Sequence, residues 1–151
     1  MLLLAKIENN QFTESKQIQL DEIIKNKLNF FEELINHKNI SVELKLEPLV
    51  INIHPMLADI LVSNLIGNAI KHNINGGELY VELKNKLFII QNSGKPLTIP
   101  PEQLFQRFRK AEPASESLGL GLSIVKEICH VYRFVLQYKY EDKQHTVSIH
   151  F

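Results

Sequence analysis

The chain has 151 residues, 44% hydrophobic and 23% charged, enough to bury roughly 70% of its unfolded surface in one domain and too well mixed to be disordered or fibrous. Basic and acidic side chains number 17 each, so no overall positive field points to nucleic acid or to an anionic membrane surface. The lone cysteine, Cys129, excludes an intrachain disulfide framework and fits a reducing compartment, and no apolar run approaches the ~18–20 residues of a membrane span. A soluble, cytoplasmic domain is expected.

Residues 1–15 begin apolar and turn polar, as the tail of a helix that starts elsewhere or as a frayed terminus. From Leu20, the positions Leu20, Ile23, Ile24, Leu28, Phe31, Leu34 and Ile35 recur at helical spacing, with Asp21 and Glu22 where a helix start favours negative charge. Ile40, Val42, Leu44 and Leu46 alternate as a half-buried strand that Pro48 ends, and Leu49 to Ile53 reads as a second strand. Pro55 opens a helix running to about Asn73, apolar nearly all round and therefore buried. Asn75-Gly76-Gly77 ends it.

Leu79–Leu83 and Leu87–Gln91 form a hairpin around Lys84-Asn85-Lys86. Pro96, Pro100 and Pro101 mark a loop, followed by the short segment Leu104–Lys110 and the polar stretch Ala111–Ser117. A helix from about Leu120 to Tyr132 precedes two alternating strands, one with Phe134, Leu136, Tyr138 and Tyr140 on one face, the other with Val147, Ile149 and Phe151. Strands in adjacent antiparallel pairs, mixed with helices, give an α+β two-layer sandwich.

Four features could carry chemistry. In the helix 55–73, Asn64, Asn68 and Lys71 fall within about 60° of one another and extend a face begun by Leu57 and Ile60. Burying such groups unpaired costs several kcal/mol, so they are either a capping or core hydrogen-bond network or a site for a hard cation and phosphate. Ser117-Leu118-Gly119-Leu120-Gly121-Leu122 runs into a helix, which is either a tight turn or a backbone cradle for an anion. Asn92-Ser93-Gly94 is a turn tripeptide or a ligand contact at a strand end. In Leu104–Lys110, Phe105 and Phe108 are core residues beside a solvated cationic edge, or the hinge of a lid whose cations reach a triphosphate. The six histidines have no metal-ligand spacing, and there is neither a Gly-x-Ser-x-Gly elbow nor a Walker sequence.

Taken together and in order, these segments resemble the ATP-binding catalytic domain of two-component sensor histidine kinases, the HATPase_c or Bergerat-fold family. LVSNLIGNAIKHN (61–73) is similar to its N box, QNSGKPL (91–97) to its first glycine box, LFQRF (104–108) to its F box and SLGLGLSIVKEI (117–128) to its second glycine box. The likeness covers residues 16–151, while residues 1–12 resemble the end of the dimerisation helix that precedes this domain in such kinases.

The resemblance implies a mixed sheet of about five strands with three helices on one face, and ATP with Mg²⁺ held between helices and lid. Asn68 would bind the metal, and Asn64 would stand where ATP-hydrolysing relatives place a catalytic Glu. Lys71 and His72 would approach phosphate or ribose. Asn92 and Gly94 of the first glycine box, with Phe105 and Phe108 of the F box, would contact nucleotide. Gly119, Leu120 and Gly121 would wrap the triphosphate, and the lid from about Gln106 to Leu118 would bring Lys110 to it.

Three positions depart from the family pattern: Asn92 replaces an adenine-reading Asp, Pro96 a glycine of the first glycine box, and Ser117 a glycine of the second. The implied activity is transfer of the γ-phosphoryl group of ATP to a histidine of a dimerisation domain outside this chain, since none of the six histidines here precedes an acidic residue. A response regulator would act downstream, with no nucleic acid and no membrane contact by this domain, which would be the cytoplasmic portion of a membrane-anchored kinase. The alternative is a regulatory domain of the same fold that has lost ATP binding.

Overall fold

The computed structural model describes residues 2–106 and 121–151. The N-terminal stretch holds a short helix, α1 (Leu2–Glu8), and a four-residue strand, β1 (Lys16–Gln19). β1 has only Ile18 as an apolar residue, too little for an alternating pattern to register.

The helical spacing that begins at Leu20 becomes two helices, α2 (Leu20–Phe30) and α3 (Glu32–His37), instead of one. The break falls at Phe31 (φ −93°, ψ 6°). Its ring packs against Gly67, where an added Cβ would come within 3.3 Å of Phe31 Cζ.

Next come β2 (Ser41–Leu46), β3 (Val50–Ile53), α4 (Pro55–Lys71), β4 (Glu78–Lys84), β5 (Leu87–Ser93), a 3-10 turn at Pro101–Gln103, α5 (Gly121–Tyr132), β6 (Val135–Glu141) and β7 (Gln144–His150). The main sheet is mixed and five-stranded, in the order β2-β4-β5-β7-β6, with β2–β4 parallel and the remaining pairs antiparallel.

The expected pairing of β2 with β3 does not occur: β3 leaves the main sheet and pairs antiparallel with β1. The cause lies in the intervening residues. Leu20 N donates to Leu49 O (2.8 Å) and Leu49 N donates to Asp21 Oδ1 (3.2 Å), so the start of α2 captures the chain after Pro48 and steers it toward β1. β2 then reaches β4 by a crossover that carries α4, as a parallel pair requires.

Both hairpins turn on two residues with positive φ, Asn85-Lys86 (51° and 61°) and Asp142-Lys143 (52° and 62°), whose twist suits antiparallel strands. Leu79, Val81 and Leu83 of β4, Phe88 and Ile90 of β5 and Ile149 of β7 are buried on one side of the sheet. Against them sits α4, with Leu57, Leu61, Leu65, Ile66 and Ile70 almost fully buried. Each such side chain contributes about 1.5–3 kcal/mol, which makes α4 the rigid spine on which the candidate site is mounted.

Candidate functional site

α4 begins with Pro55 after His54, whose Nδ1 accepts from Met56 N (3.2 Å). Its other end is held by Lys38, whose ammonium donates to the carbonyls of Ile70 (3.0 Å), Lys71 (2.7 Å) and Asn73 (3.2 Å). Ile70 and Lys71 end α4, where a helix leaves carbonyls without an intrahelical partner, and a cation there also complements the helix dipole.

Between these fixed ends, Asn64 and Asn68 sit one turn apart, both half-buried, and both face the start of α5. A Cβ on Gly121 would lie 2.8 Å from Asn64 Oδ1 and 3.7 Å from Asn68 Nδ2. Asn64 Nδ2 donates back to Ile60 O (2.8 Å), which orients its oxygen end toward α5. A glycine at Gly121 therefore permits the close approach of two helices and leaves a polar cleft at a helix N-terminus, where backbone N–H groups favour an anion. Lys71 closes α4 as an exposed cation, and His72 caps it with its N–H on Asn68 O (3.0 Å).

The end of β5 meets the same helix end. Asn92 is buried, and its Nδ2 donates to Ser93 O (2.9 Å), so Oδ1 is the atom it can offer a ligand as an acceptor. A Cβ on Gly94 would sit 3.4 Å from His72 O.

Phe105 lies between the last hairpin and the start of α5. Its ring meets Tyr138 edge-on (6.5 Å), and it lines a groove of about 220 Å³ with Leu4, Ser123 and Lys126. Phe108, Lys110, Gly119 and Leu120, together with the expected lid beyond Gln106, lie outside the described residues.

Sequence reasoning missed the contribution of the β6–β7 hairpin. His145 stands opposite Asn92 in the β5–β7 register, with Tyr138 and Tyr140 beside it. Burial lowers the His145 imidazole below its ordinary 6.5, and burial with the neighbouring Tyr140 pushes Tyr138 up to about 12. The available signal was the alternation that puts both tyrosines on one strand face; what placed His145 against Asn92 was strand order, which alternation does not encode.

Residues 53–151 match the family described as histidine kinase-, DNA gyrase B-, and HSP90-like ATPase. The heme sensor protein HssS of Staphylococcus aureus (strain JH9) is 30% identical over 152 residues, covering 97% of this chain and 33% of that protein. The chain thus spans about a third of the length of the curated relatives it matches. Among solved structures, the mycobacterial sensor histidine kinase MprB aligns with a TM-score of 0.75 at 24% identity, over 89% of this chain and 95% of that one. The catalytic domain of histidine kinase ThkA aligns at 0.73 and 24%, over 91% and 94%. The α+β fold with its mixed five-stranded sheet is the fold of those catalytic domains.

Proposed function

Because the chain belongs to the histidine kinase-, DNA gyrase B-, and HSP90-like ATPase family, we propose that it binds Mg·ATP and presents the γ-phosphoryl group to a histidine of a dimerisation domain in a sensor kinase. The observation that carries this reading is the convergence of Asn64 and Asn68 on Gly121, at the N-terminus of α5.

The amide of Asn68 is a donor type that fits the metal, with Nδ2 the atom that lies 3.7 Å from a Cβ on Gly121. Mg²⁺ keeps most of its waters and takes few protein oxygens, and the Asn68 side-chain carbonyl is a hard oxygen on a rigid helix. Asn68 would hold the ion, and the bound ion would neutralise charge on the phosphate oxygens.

The chain's own residues do the rest. The N–H groups at the start of α5 bind phosphate oxygens, and Lys71 adds a cation from the end of α4. Asn64 is an amide and takes no proton, so it orients and does not act as a base. None is required when the acceptor is an imidazole with its own lone pair. Asn92 Oδ1 accepts from the exocyclic amine of adenine, the amide being oriented by the bond from Nδ2 to Ser93 O.

Residues 1–12, containing α1, are the tail of a dimerisation helix or a linker to the phosphoacceptor domain, and residues 16–151 are the catalytic domain. A response regulator receives the phosphoryl group from that histidine. No helix among the described residues is long and apolar enough to cross a membrane. The test is thermal denaturation with ATP, with and without Mg²⁺. Ligand at ~100 times its dissociation constant adds about 2.7 kcal/mol. A melting temperature unmoved by millimolar Mg·ATP overturns the reading.

A further inference from the structure

Asn92 and Ser93 lead into a turn that a different part of the chain holds in place. Gly94 N donates to Lys143 O (3.1 Å), and Tyr140 Oη donates to Gly94 O (3.2 Å). His145 Nε2 lies 2.7 Å from Lys95 O. A carbonyl only accepts, so Nε2 carries the imidazole proton, and Nδ1 accepts from Tyr138 Oη at 2.6 Å. The Tyr138 contact therefore selects the tautomer that the Lys95 contact needs.

The ring also dictates the residue it touches. A Cβ on Gly94 would stand 2.6 Å from His145 Cδ2 and 2.8 Å from Nε2, so only glycine admits the imidazole here. Lys95 and Pro96 are exposed, and an exposed turn has water to satisfy its carbonyls without help from a half-buried imidazole. What the arrangement does secure is direction. Ser93 O, the acceptor for Asn92 Nδ2, is one peptide away from Gly94, so the amide of Asn92 is oriented by backbone that the hairpin clamps.

We propose that His145 is a positioning residue for base recognition: with Tyr138 and Tyr140 it clasps Gly94–Lys95 and thereby fixes the aim of the Asn92 amide at the nucleobase. This rests on the nucleotide-binding reading given above and adds a determinant from the last hairpin. His145 acts through the turn and Asn92, not by taking part in phosphoryl transfer.

The test compares Mg·ATP with Mg·GTP by calorimetry on the whole chain, reading the ratio of the two affinities. Wild type prefers ATP. His145→Ala loses about tenfold in ATP affinity, the value of one good hydrogen bond, and its ATP-to-GTP ratio falls toward one. His145→Gln, whose amide can still donate to Lys95 O, restores most of the ratio. Tyr140→Phe removes a single hydroxyl without opening a cavity and lowers the ratio in the same direction, which keeps the question answerable if His145→Ala does not fold. A loss equal for both nucleotides, or a ratio unchanged in His145→Ala and Tyr140→Phe, overturns the clasp and leaves nucleotide binding standing. A wild type that binds neither nucleotide overturns the nucleotide reading, and the clasp with it.

Discussion

Gly121 and Asn64 are in such close contact that one methyl group on the glycine would stand 2.8 Å from the Asn64 side-chain oxygen. The first consequence is a separation of stability from binding. In Gly121→Ala, at the first residue of α5, the added methyl meets only the end of a side chain, and the Asn64 amide must turn and strain its 2.8 Å bond to Ile60 O. The expected outcome is a melting temperature close to that of wild type and a Mg·ATP affinity reduced about tenfold or more. Affinity preserved in a folded Gly121→Ala variant would show that the α4–α5 cleft is not where phosphate binds.

Asn68→Ala should weaken Mg·ATP binding far more than metal-free ATP binding, because the variant loses an oxygen ligand and no positive charge. Calorimetry in the presence and absence of Mg²⁺ checks this; equal losses in the two conditions contradict a metal-holding Asn68.

The purified chain should release no appreciable phosphate from ATP. An attacking water needs a group to orient it and take its proton, and the amide of Asn64 cannot take one. Turnover should appear only on adding a dimerisation domain that carries an acceptor histidine. Rapid phosphate release from the chain alone, abolished in Asn64→Ala, would show a hydrolase instead.

Lys38→Met should cost about 1–2 kcal/mol, because the carbonyls of Ile70, Lys71 and Asn73 lose their shared donor at the end of α4. The measurement is a lower urea midpoint with an unchanged slope. Since Lys38 touches neither asparagine of the cleft, Mg·ATP affinity measured well below the new melting temperature should change little.

The pH dependence has a sign on each side. Burial pushes the Cys129 thiol up to about 12 from its ordinary 9.0, so above pH 9 the unfolded chain gives up a proton that the folded one keeps, and stability falls as pH rises. Tyr138 adds the same trend above pH 10. His145 acts on the acid side: with its folded value below 6.5, the unfolded chain takes up a proton first, and stability falls as pH drops below 6.5. Urea midpoints across pH check both limbs, and the acid limb should flatten in His145→Gln. Thiol labelling of Cys129 should likewise proceed only as fast as the native structure opens.

How far the sequence could be read depended on whether the deciding interaction was local. α4 was legible because its proline start, its apolar girth and its stripe of Asn64, Asn68 and Lys71 all lie within one helix, where a rotation of 100° per residue puts Asn64 and Asn68 on one side. The β4–β5 hairpin was legible for the same reason, although its turn is the two residues Asn85-Lys86 and not the three from Lys84. The parallel pairing of β2 with β4 was not, because Leu49 is captured by Leu20 and Asp21, nearly thirty residues earlier in the chain. Nor was the meeting of Asn64 with Gly121, which depends on the packing of two helices, nor that of Asn92 with His145, which depends on strand order. The asparagine stripe and the glycines could each be singled out, but only the fold shows which of them face one another.

The span between His145 and Lys95, 50 residues apart in the chain, has a kinetic consequence. α4, the β4–β5 hairpin and the β6–β7 hairpin can each begin to form from neighbouring residues, whereas β5 finds β7 only after a long excursion of chain has closed on itself. The entropy of such closure is spent before the contacts it permits are made, and each doubling of the excursion adds only about 0.6 kcal/mol. The cleft between α4 and α5 spans a comparable distance along the chain. Both ends of the candidate pocket therefore belong to the late, slow part of folding, and in a newly made chain the pocket is complete only when the sheet is closed.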